Sequence, residues 1–142
     1  MTALFLDTNV IVDFAIQRKE FYPQAQALFS LAGAGEVDSI ASALSFANLA
    51  YVLRKMPIAQ SRAILSKTME LVEIASLEEV DLAAAFDQAS TFTDIEDDVQ
   101  HATALRTIAE VIITRDTEDF TAATLPVMTP ADFLAQHSPP MA

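Results

Sequence analysis

Short runs of consecutive apolar residues alternate along the chain with longer segments whose apolar residues are spaced three or four apart. The run "ALFLD" (3–7) is apolar up to its final aspartate, a pattern typical of a strand that is buried on both faces. The segment "SALSFANLAYVLRK" (42–55) has helical spacing, with Ser42 as its candidate N-cap and Pro57 just beyond its end. These two patterns predict one strand and one helix.

The alternation continues to the end of the chain. The predicted strands are 3–7, 36–41, 72–75, 111–114 and a short candidate at 126–129. The predicted helices are 9–18, 24–35, 42–55, 57–71, 77–90, 95–109 and 130–137. The first helix is expected to be interrupted at Tyr22-Pro23. Strands separated by helices predict an α/β fold of three layers, α/β/α, around a central parallel sheet of four to five strands.

Length and composition suit one globular domain. The chain has 142 residues, 52% of them hydrophobic, which is enough for a core. We predict a single domain over 1–137 and a frayed tail at 138–142. The absence of cysteine excludes disulfides and thiolate metal sites and fits a reducing cytoplasm. No apolar stretch approaches the ~18 residues of a membrane span, and acidic residues interrupt the first apolar run, so we expect neither a membrane segment nor a signal peptide.

The net charge of −12 argues against simple electrostatic attraction to nucleic acid. A nucleic-acid role would need bound cations or a local basic patch. The best candidate patch lies on adjacent predicted helices and consists of Arg54, Lys55, Arg62 and Lys67. Asp13 and Arg18 are interpreted as local helix electrostatics. A basic protein partner is the alternative target of the acidic surface.

Acidic residues occur where a parallel sheet commonly forms a site, outside the carboxyl ends of its strands. Asp7 ends the first strand, Asp116 follows the fourth, and Asp97 lies near the start of the helix that leads into the fourth. These three carboxylates would meet if the first and fourth strands are neighbours. Convergent carboxylates without histidine or cysteine suit a hard cation such as Mg2+ or Mn2+. Such an ion activates water and stabilises charge on a phosphate oxygen.

The segment "TDIEDDVQHATA" (93–104) places four carboxylates in five positions. Helix capping is one explanation, because Thr93 and Glu96 have the spacing of a capping box and acids favour the first turn. Asp94, Asp97 and Asp98 would then share a face, where like charges repel. A divalent cation is the other explanation, since it would compensate that repulsion. By position alone, Asp7 is equally well an N-cap or a functional acid.

Other polar residues also have two interpretations. Asp116 and Asp119 are either turn residues or part of the site, and Arg115 is a candidate partner for either of them. Asn48 is either a buried structural amide or a polar group that faces the site. His101 is more simply a helix histidine with a satisfied hydrogen bond than a ligand.

Taken in order, five segments resemble the PIN domain family: "FLDTNVIVDF", "SALSFANLAYVLRK", "TDIEDDVQHATA", "VIITRDTEDF" and "PVMTPADFL". The resemblance covers nearly the whole chain and implies the same three-layer fold. Many PIN domains are Mg2+- or Mn2+-dependent ribonucleases, and many bacterial ones are VapC-type toxins of toxin–antitoxin pairs. The family also implies a homodimer.

The resemblance assigns roles to individual positions. It implies that Asp7, Asp97 and Asp116 are catalytic and bind the metal, with Asp119 and Glu96 assisting. The family's usual glutamate on the middle helix is replaced here by Asn48, as in a subgroup that carries an "EDxxQ" motif. Glu96 is a candidate to supply the missing negative charge. The residues expected around the metal ligands are Thr8, Asn9, Asn48, Thr114 and Arg115. Arg54 and Lys55 are the candidates for contact with the RNA backbone.

The leading hypothesis is therefore a metal-dependent endoribonuclease that leaves 5′-phosphate and 3′-hydroxyl ends, and that is a candidate toxin. A small antitoxin would then insert a segment with arginine or lysine into the acidic groove. The alternative is a catalytically weak or inactive PIN-like module that acts by binding RNA or a protein partner, which Asn48 and the acidic charge favour. An acid-nucleophile phosphatase is disfavoured, because "DTNVIVD" lacks an aspartate two residues after the first.

Overall fold

The structure is a computed structural model that describes residues 2–137, so the predicted tail at 138–142 lies outside the described residues. The strands are β1 (Thr2–Leu6), β2 (Val37–Ser42), β3 (Glu73–Ala75), β4 (Val111–Ile113) and β5 (Val127–Met128). The helices are α1 (Thr8–Ala15), α2 (Tyr22–Gly33), α3 (Ala43–Val52), α4 (Ile58–Met69), α5 (Glu79–Ala85), α6 (Ile95–Leu105) and α7 (Pro130–Gln136). A short 3-10 helix covers Thr117–Phe120. None of the described helices is long and apolar enough to cross a membrane.

All five strands form one parallel sheet in the order β3-β2-β1-β4-β5. The predicted three-layer α/β/α fold is confirmed, and the short fifth strand is present. Successive residues of β1 point to opposite faces, so Leu4 and Leu6 join one apolar core while Ala3 and Phe5 join the other. This explains why β1 is a continuous apolar run rather than an alternating one.

The central position of β1 decides where the site forms. β1 pairs with β4 in parallel, with Leu6 opposite Ile113, and the Asp7 amide continues the ladder by donating to the Ile113 carbonyl at 2.9 Å. The carboxyl ends of the two strands therefore lie side by side. The adjacency that the site prediction required is present.

Three helix predictions need correction. Tyr22-Pro23 does not interrupt a helix but begins α2, because proline is tolerated in a first helical turn, where its missing N–H is not needed. The helix predicted over 77–90 is shorter and covers only Glu79–Ala85. The predicted capping box of Thr93 and Glu96 is also wrong. Asp94 is the N-cap of α6, and its carboxylate accepts from the Asp97 amide at 3.0 Å.

Candidate active site

A cleft of about 300 Å3 opens at the carboxyl ends of β1 and β4. Four of the predicted acids line it, namely Asp7, Glu96, Asp97 and Asp116. They come from the end of β1, the first turn of α6 and the segment after β4. The structure thus brings together carboxylates that lie far apart in the sequence.

Asp7 is buried at the base of the cleft, and its interpretation as an N-cap is confirmed. It is the N-cap of α1, because its Oδ1 accepts from the Thr8 amide at 2.8 Å. Its Oδ2 accepts from the Thr114 hydroxyl at 2.8 Å. Burial raises the pKa of Asp7 above its ordinary value, and these hydrogen bonds only partly offset that effect. A cation in the cleft would stabilise the ionised form that burial disfavours.

Asp97 is a second carboxylate in the cleft with a raised pKa. Burial raises its pKa to about 7, together with repulsion from the carboxylates of Asp7, Asp94, Asp119 and Glu96. No hydrogen bond to its side chain is present within residues 2–137. Asp97 is therefore a carboxylate that lacks positive compensation, as expected for a metal ligand in the metal-free protein.

Asp116 is exposed and is oriented by a chain of polar contacts. The Asn9 amide donates to Asp116 Oδ2 at 3.2 Å and to the Thr114 hydroxyl at 3.1 Å. The same hydroxyl accepts from the Asp116 backbone amide at 3.1 Å. Because it also donates to Asp7, Thr114 links the acid after β1 to the acid after β4. Asp119 lies in the adjacent 3-10 helix and contributes to the field at Asp97.

Asn48 is half-buried and contacts a residue that lines the cleft. Its amide donates to Glu96 Oε1 at 2.5 Å, which connects α3 to the first turn of α6. The position where the family carries a glutamate thus holds a neutral donor that binds a neighbouring glutamate.

The four crowded acids of "TDIEDDVQ" have four different environments. Asp94 caps the helix, Glu96 contacts Asn48, and Asp97 lines the cleft. Asp98 is buried elsewhere and accepts from the Ser90 hydroxyl at 2.5 Å, so the expected shared face does not exist.

His101 has the structural role expected of it. Its Nε2 accepts from the Thr124 amide at 3.1 Å, and burial lowers its pKa.

Gln100 is a site residue that the sequence reasoning missed. It is 1% exposed and lies one helical turn after Asp97. Its Nε2 donates to the hydroxyls of Ser45 at 2.8 Å and Thr8 at 3.0 Å, and reaches Asp7 Oδ1 at 3.4 Å. Gln100 therefore joins α6, α3 and the end of β1. The available signal was the spacing in "EDxxQ", which places a glutamine on the same face as Asp97.

The predicted pairing of Arg115 with Asp116 or Asp119 is wrong. Its guanidinium binds Asp13 instead, with Nε 2.6 Å from Oδ2 and Nη2 3.3 Å from Oδ1. Arg54 is held outside the cleft by Tyr51, whose carbonyl accepts from Nη1 at 2.9 Å and whose ring lies under the guanidinium. Lys55 does not line the cleft either.

As arranged, no three His, Cys, Asp or Glu side chains within residues 2–137 form a ready-made metal site. The donor chemistry nevertheless fits a hard divalent cation. Asp7 and Asp97 supply carboxylate oxygens, and burial is the main cause of the raised pKa of each. Mg2+ keeps several of its waters and needs only one or two direct carboxylates, so the remaining acids can act through water.

The sequence matches the PIN domain family model over residues 3–118. Because this match covers most of the chain, the protein belongs to the PIN domain family, as its motifs suggested. No curated protein sequence matches the chain significantly.

Solved structures of toxin–antitoxin systems contain chains of similar fold. VapBC2 from Rickettsia felis, bound to a DNA fragment from their promoter, is 17% identical with a TM-score of 0.68, covering 90% of this chain and 98% of that chain. A toxin–antitoxin complex from Klebsiella pneumoniae is 21% identical with a TM-score of 0.66, at 91% and 98% coverage. VapBC-1 from nontypeable Haemophilus influenzae is 18% identical with a TM-score of 0.68, at 92% and 99% coverage. At these identities the likeness shows the fold alone.

Proposed function

We propose that the protein is a metal-dependent endoribonuclease. The observation that carries the proposal is Asp97, whose pKa is raised to about 7 in a cleft shared with Asp7 and Asp116. Burial and the repulsion of neighbouring carboxylates both disfavour the ionised form of Asp97, and a bound cation would offset both effects. Membership of the PIN domain family supports nuclease chemistry over other uses of such a site.

The chain's own residues would divide the work. Asp7 and Asp97 would hold one Mg2+ or Mn2+ directly, and Asp116, Asp119 and Glu96 would act on the ion or its waters. A bound ion of this kind supplies a Lewis acid that activates water and neutralises phosphate charge.

Asp116, exposed and oriented by Asn9, would accept the proton of the attacking water. Thr8, Asn9, Thr114 and Gln100 would fix the carboxylates through the hydrogen bonds described above. Hydrolysis of the bond to the 3′ oxygen would leave 5′-phosphate and 3′-hydroxyl ends.

Titration with Mn2+ by calorimetry tests the metal site. We expect saturable binding by the unsubstituted protein and loss of binding in Asp97→Asn. Asp38→Asn is a matched control, because Asp38 is an exposed acid near the start of β2, at the opposite edge of the sheet. Absence of Mn2+ binding would contradict the metal site and favour a module that binds RNA or protein without cleaving.

Cleavage of RNA in Mg2+ tests the reaction itself. Asp7→Asn and Asp97→Asn should abolish cleavage while circular dichroism shows an intact fold. Unchanged cleavage in either variant would overturn the assignment. Mn2+ binding without any RNA cleavage would support the binding module instead.

We also infer that the protein is a toxin neutralised by a small antitoxin. The inference is supported by the fold shared with chains of toxin–antitoxin complexes. An antitoxin segment with an arginine or lysine would bind the same carboxylates. Expression of the chain with and without the gene next to its own would test this, with growth arrest relieved by the neighbour as the expected result. The homodimer stays a prediction, to be checked by light scattering.

A further inference from the structure

Asp13 is a buried carboxylate that the proposed chemistry does not use. It lies in α1, only 2% exposed, and accepts two hydrogen bonds from Arg115. Arg18 approaches the same group, with Nε 3.5 Å from Asp13 Oδ1. One buried acid therefore holds two guanidinium groups side by side.

A backbone turn positions Arg18, and an aromatic ring positions Arg115. Gln17 has a left-handed φ of 53°, and the Arg18 amide donates to the Asp13 carbonyl at 3.0 Å, so the turn that ends α1 returns Arg18 to the side chain it contacts. The Arg115 guanidinium stacks on the Phe21 ring at 3.9 Å. These constraints reduce the entropy that either side chain would lose on binding a ligand.

Both guanidinium groups remain accessible. The Arg18 side chain is 45% exposed and that of Arg115 is 23% exposed. Within residues 2–137, hydrogen bonds from the Arg115 side chain use Nε and Nη2 only, which leaves Nη1 for another acceptor.

The two arginines lie beside the carboxylates of the cleft. Arg18 and Arg115 both line the cleft that contains Asp7, Glu96, Asp97 and Asp116. The chain has only 8 lysines and arginines against 20 acids, so two fixed cations at the edge of an acidic cleft are a local exception to its charge. The two guanidiniums and the one carboxylate that they share carry a combined charge of about +1.

We propose that Arg18 and Arg115, oriented by Asp13, bind a phosphate of the RNA strand next to the phosphate that is cleaved. The inference rests on the proposed function and specifies how an acidic nuclease holds its substrate. Planar guanidinium groups match phosphate oxygens and can bind them in pairs. This inference assigns contact with the RNA backbone to Arg18 and Arg115, which line the same cleft as the carboxylates. Arg54 and Lys55, the candidates from the sequence, lie outside that cleft.

The experiment measures binding of a labelled single-stranded RNA in Ca2+, a hard cation that takes oxygen ligands, across a series of salt concentrations. Arg18→Gln removes one guanidinium and leaves the Arg115–Asp13 pair intact, so the fold should persist. We expect its affinity to fall about five- to tenfold and the slope of log affinity against log salt to drop by about 0.7. Arg115→Lys keeps a charge for Asp13 but loses the planar group, and should also weaken binding.

Arg54→Gln and Arg62→Gln are matched controls, since each removes one positive charge from an exposed position outside the cleft. Their affinities should stay within twofold of the unsubstituted protein. If Arg18→Gln binds like the unsubstituted protein, or if Arg54→Gln carries the loss instead, the inference is overturned while the nuclease proposal stands. If the unsubstituted protein binds no RNA, the proposed function fails and this inference fails with it.

Discussion

Asn48 on α3 donates to Glu96 on α6 at 2.5 Å, so a neutral amide holds a carboxylate at the mouth of the cleft. Where the PIN family pattern has a glutamate on the middle helix, this chain has the amide, and the facing helix carries a glutamate that binds it. We interpret the replacement as relocation of a carboxylate rather than its loss.

Moving the carboxylate back tests this relocation. Glu96→Gln should weaken Mn2+ binding about 10- to 100-fold if, as we propose, this carboxylate acts on the ion or its waters. The double variant Asn48→Glu with Glu96→Gln should recover most of the lost affinity, since the charge returns on α3. Calorimetric titration with Mn2+ measures both.

Glu110→Gln is the matched control for charge, because Glu110 is exposed and precedes β4 at the opposite end of the strand. It should bind Mn2+ normally. Equal affinity for Glu96→Gln and the unsubstituted protein would show that Glu96 does not contribute to the site.

Asp97→Asn should stabilise the protein in EDTA. The pKa of Asp97 is raised from 3.8 to about 7 in the folded state, so the folded state binds more protons than the unfolded state between those values. The free energy of unfolding should therefore fall as the pH rises from about 4 to 7. After allowance for solvent screening, the substitution should gain about 2 kcal/mol at pH 8 and little at pH 4. Urea unfolding at both pH values measures this, and a loss of stability at pH 8 would contradict it.

Added Mn2+ should make the unsubstituted protein more stable than Asp97→Asn, the opposite of the order expected in EDTA. Ligand at 100 times its dissociation constant stabilises the folded state by about 2.7 kcal/mol, which Asp97→Asn would forgo. The unsubstituted protein should therefore unfold at a higher temperature in Mn2+ than in EDTA, while the variant should show no shift. An equal shift in both proteins would place the ion elsewhere.

The sequence was sufficient for the fold because its elements are local. The apolar run before Asp7 and the helical spacing after Ser42 each depend on near neighbours, and their alternation leaves few arrangements. Strand order is different, because it is decided by packing between distant segments. The adjacency of β1 and β4 was therefore an assumption until the structure supplied it.

The sequence predicted which charged residues lie at the strand ends. It did not predict which side chains those residues contact. Arg115 and Asp13 are 102 positions apart, and nothing local to "TRDTEDF" indicates that the arginine turns away from its acidic neighbours. Gln100 was missed for another reason. An uncharged glutamine within a helix has the same pattern whether it is buried or exposed, and only its spacing from Asp97 hinted at the site.

Arg115→Ala should destabilise the fold by about 3 kcal/mol. It removes the closer partner of a buried carboxylate and leaves Asp13 with Arg18 at 3.5 Å. Combining it with Asp13→Asn should recover part of the loss, because the unpaired charge is then gone. Urea unfolding of the two single variants and the double variant gives the coupling, and strictly additive losses would show that the pair does not interact. Arg62→Ala should be nearly neutral.

Gln100→Met and Gln100→Glu separate the packing of Gln100 from its polarity. Methionine fills similar volume but cannot bind Ser45 and Thr8, and should cost about 1–3 kcal/mol. Glutamate keeps the shape but places an acid 3.4 Å from Asp7, so at pH 8 it should cost more than methionine. Because burial beside Asp7 favours the neutral carboxyl, the glutamate variant should recover as the pH falls towards 5, while the methionine variant should not. Urea unfolding in EDTA at both pH values measures the two variants. A pH-independent difference between them would show that Gln100 is remote from the charge of the cleft.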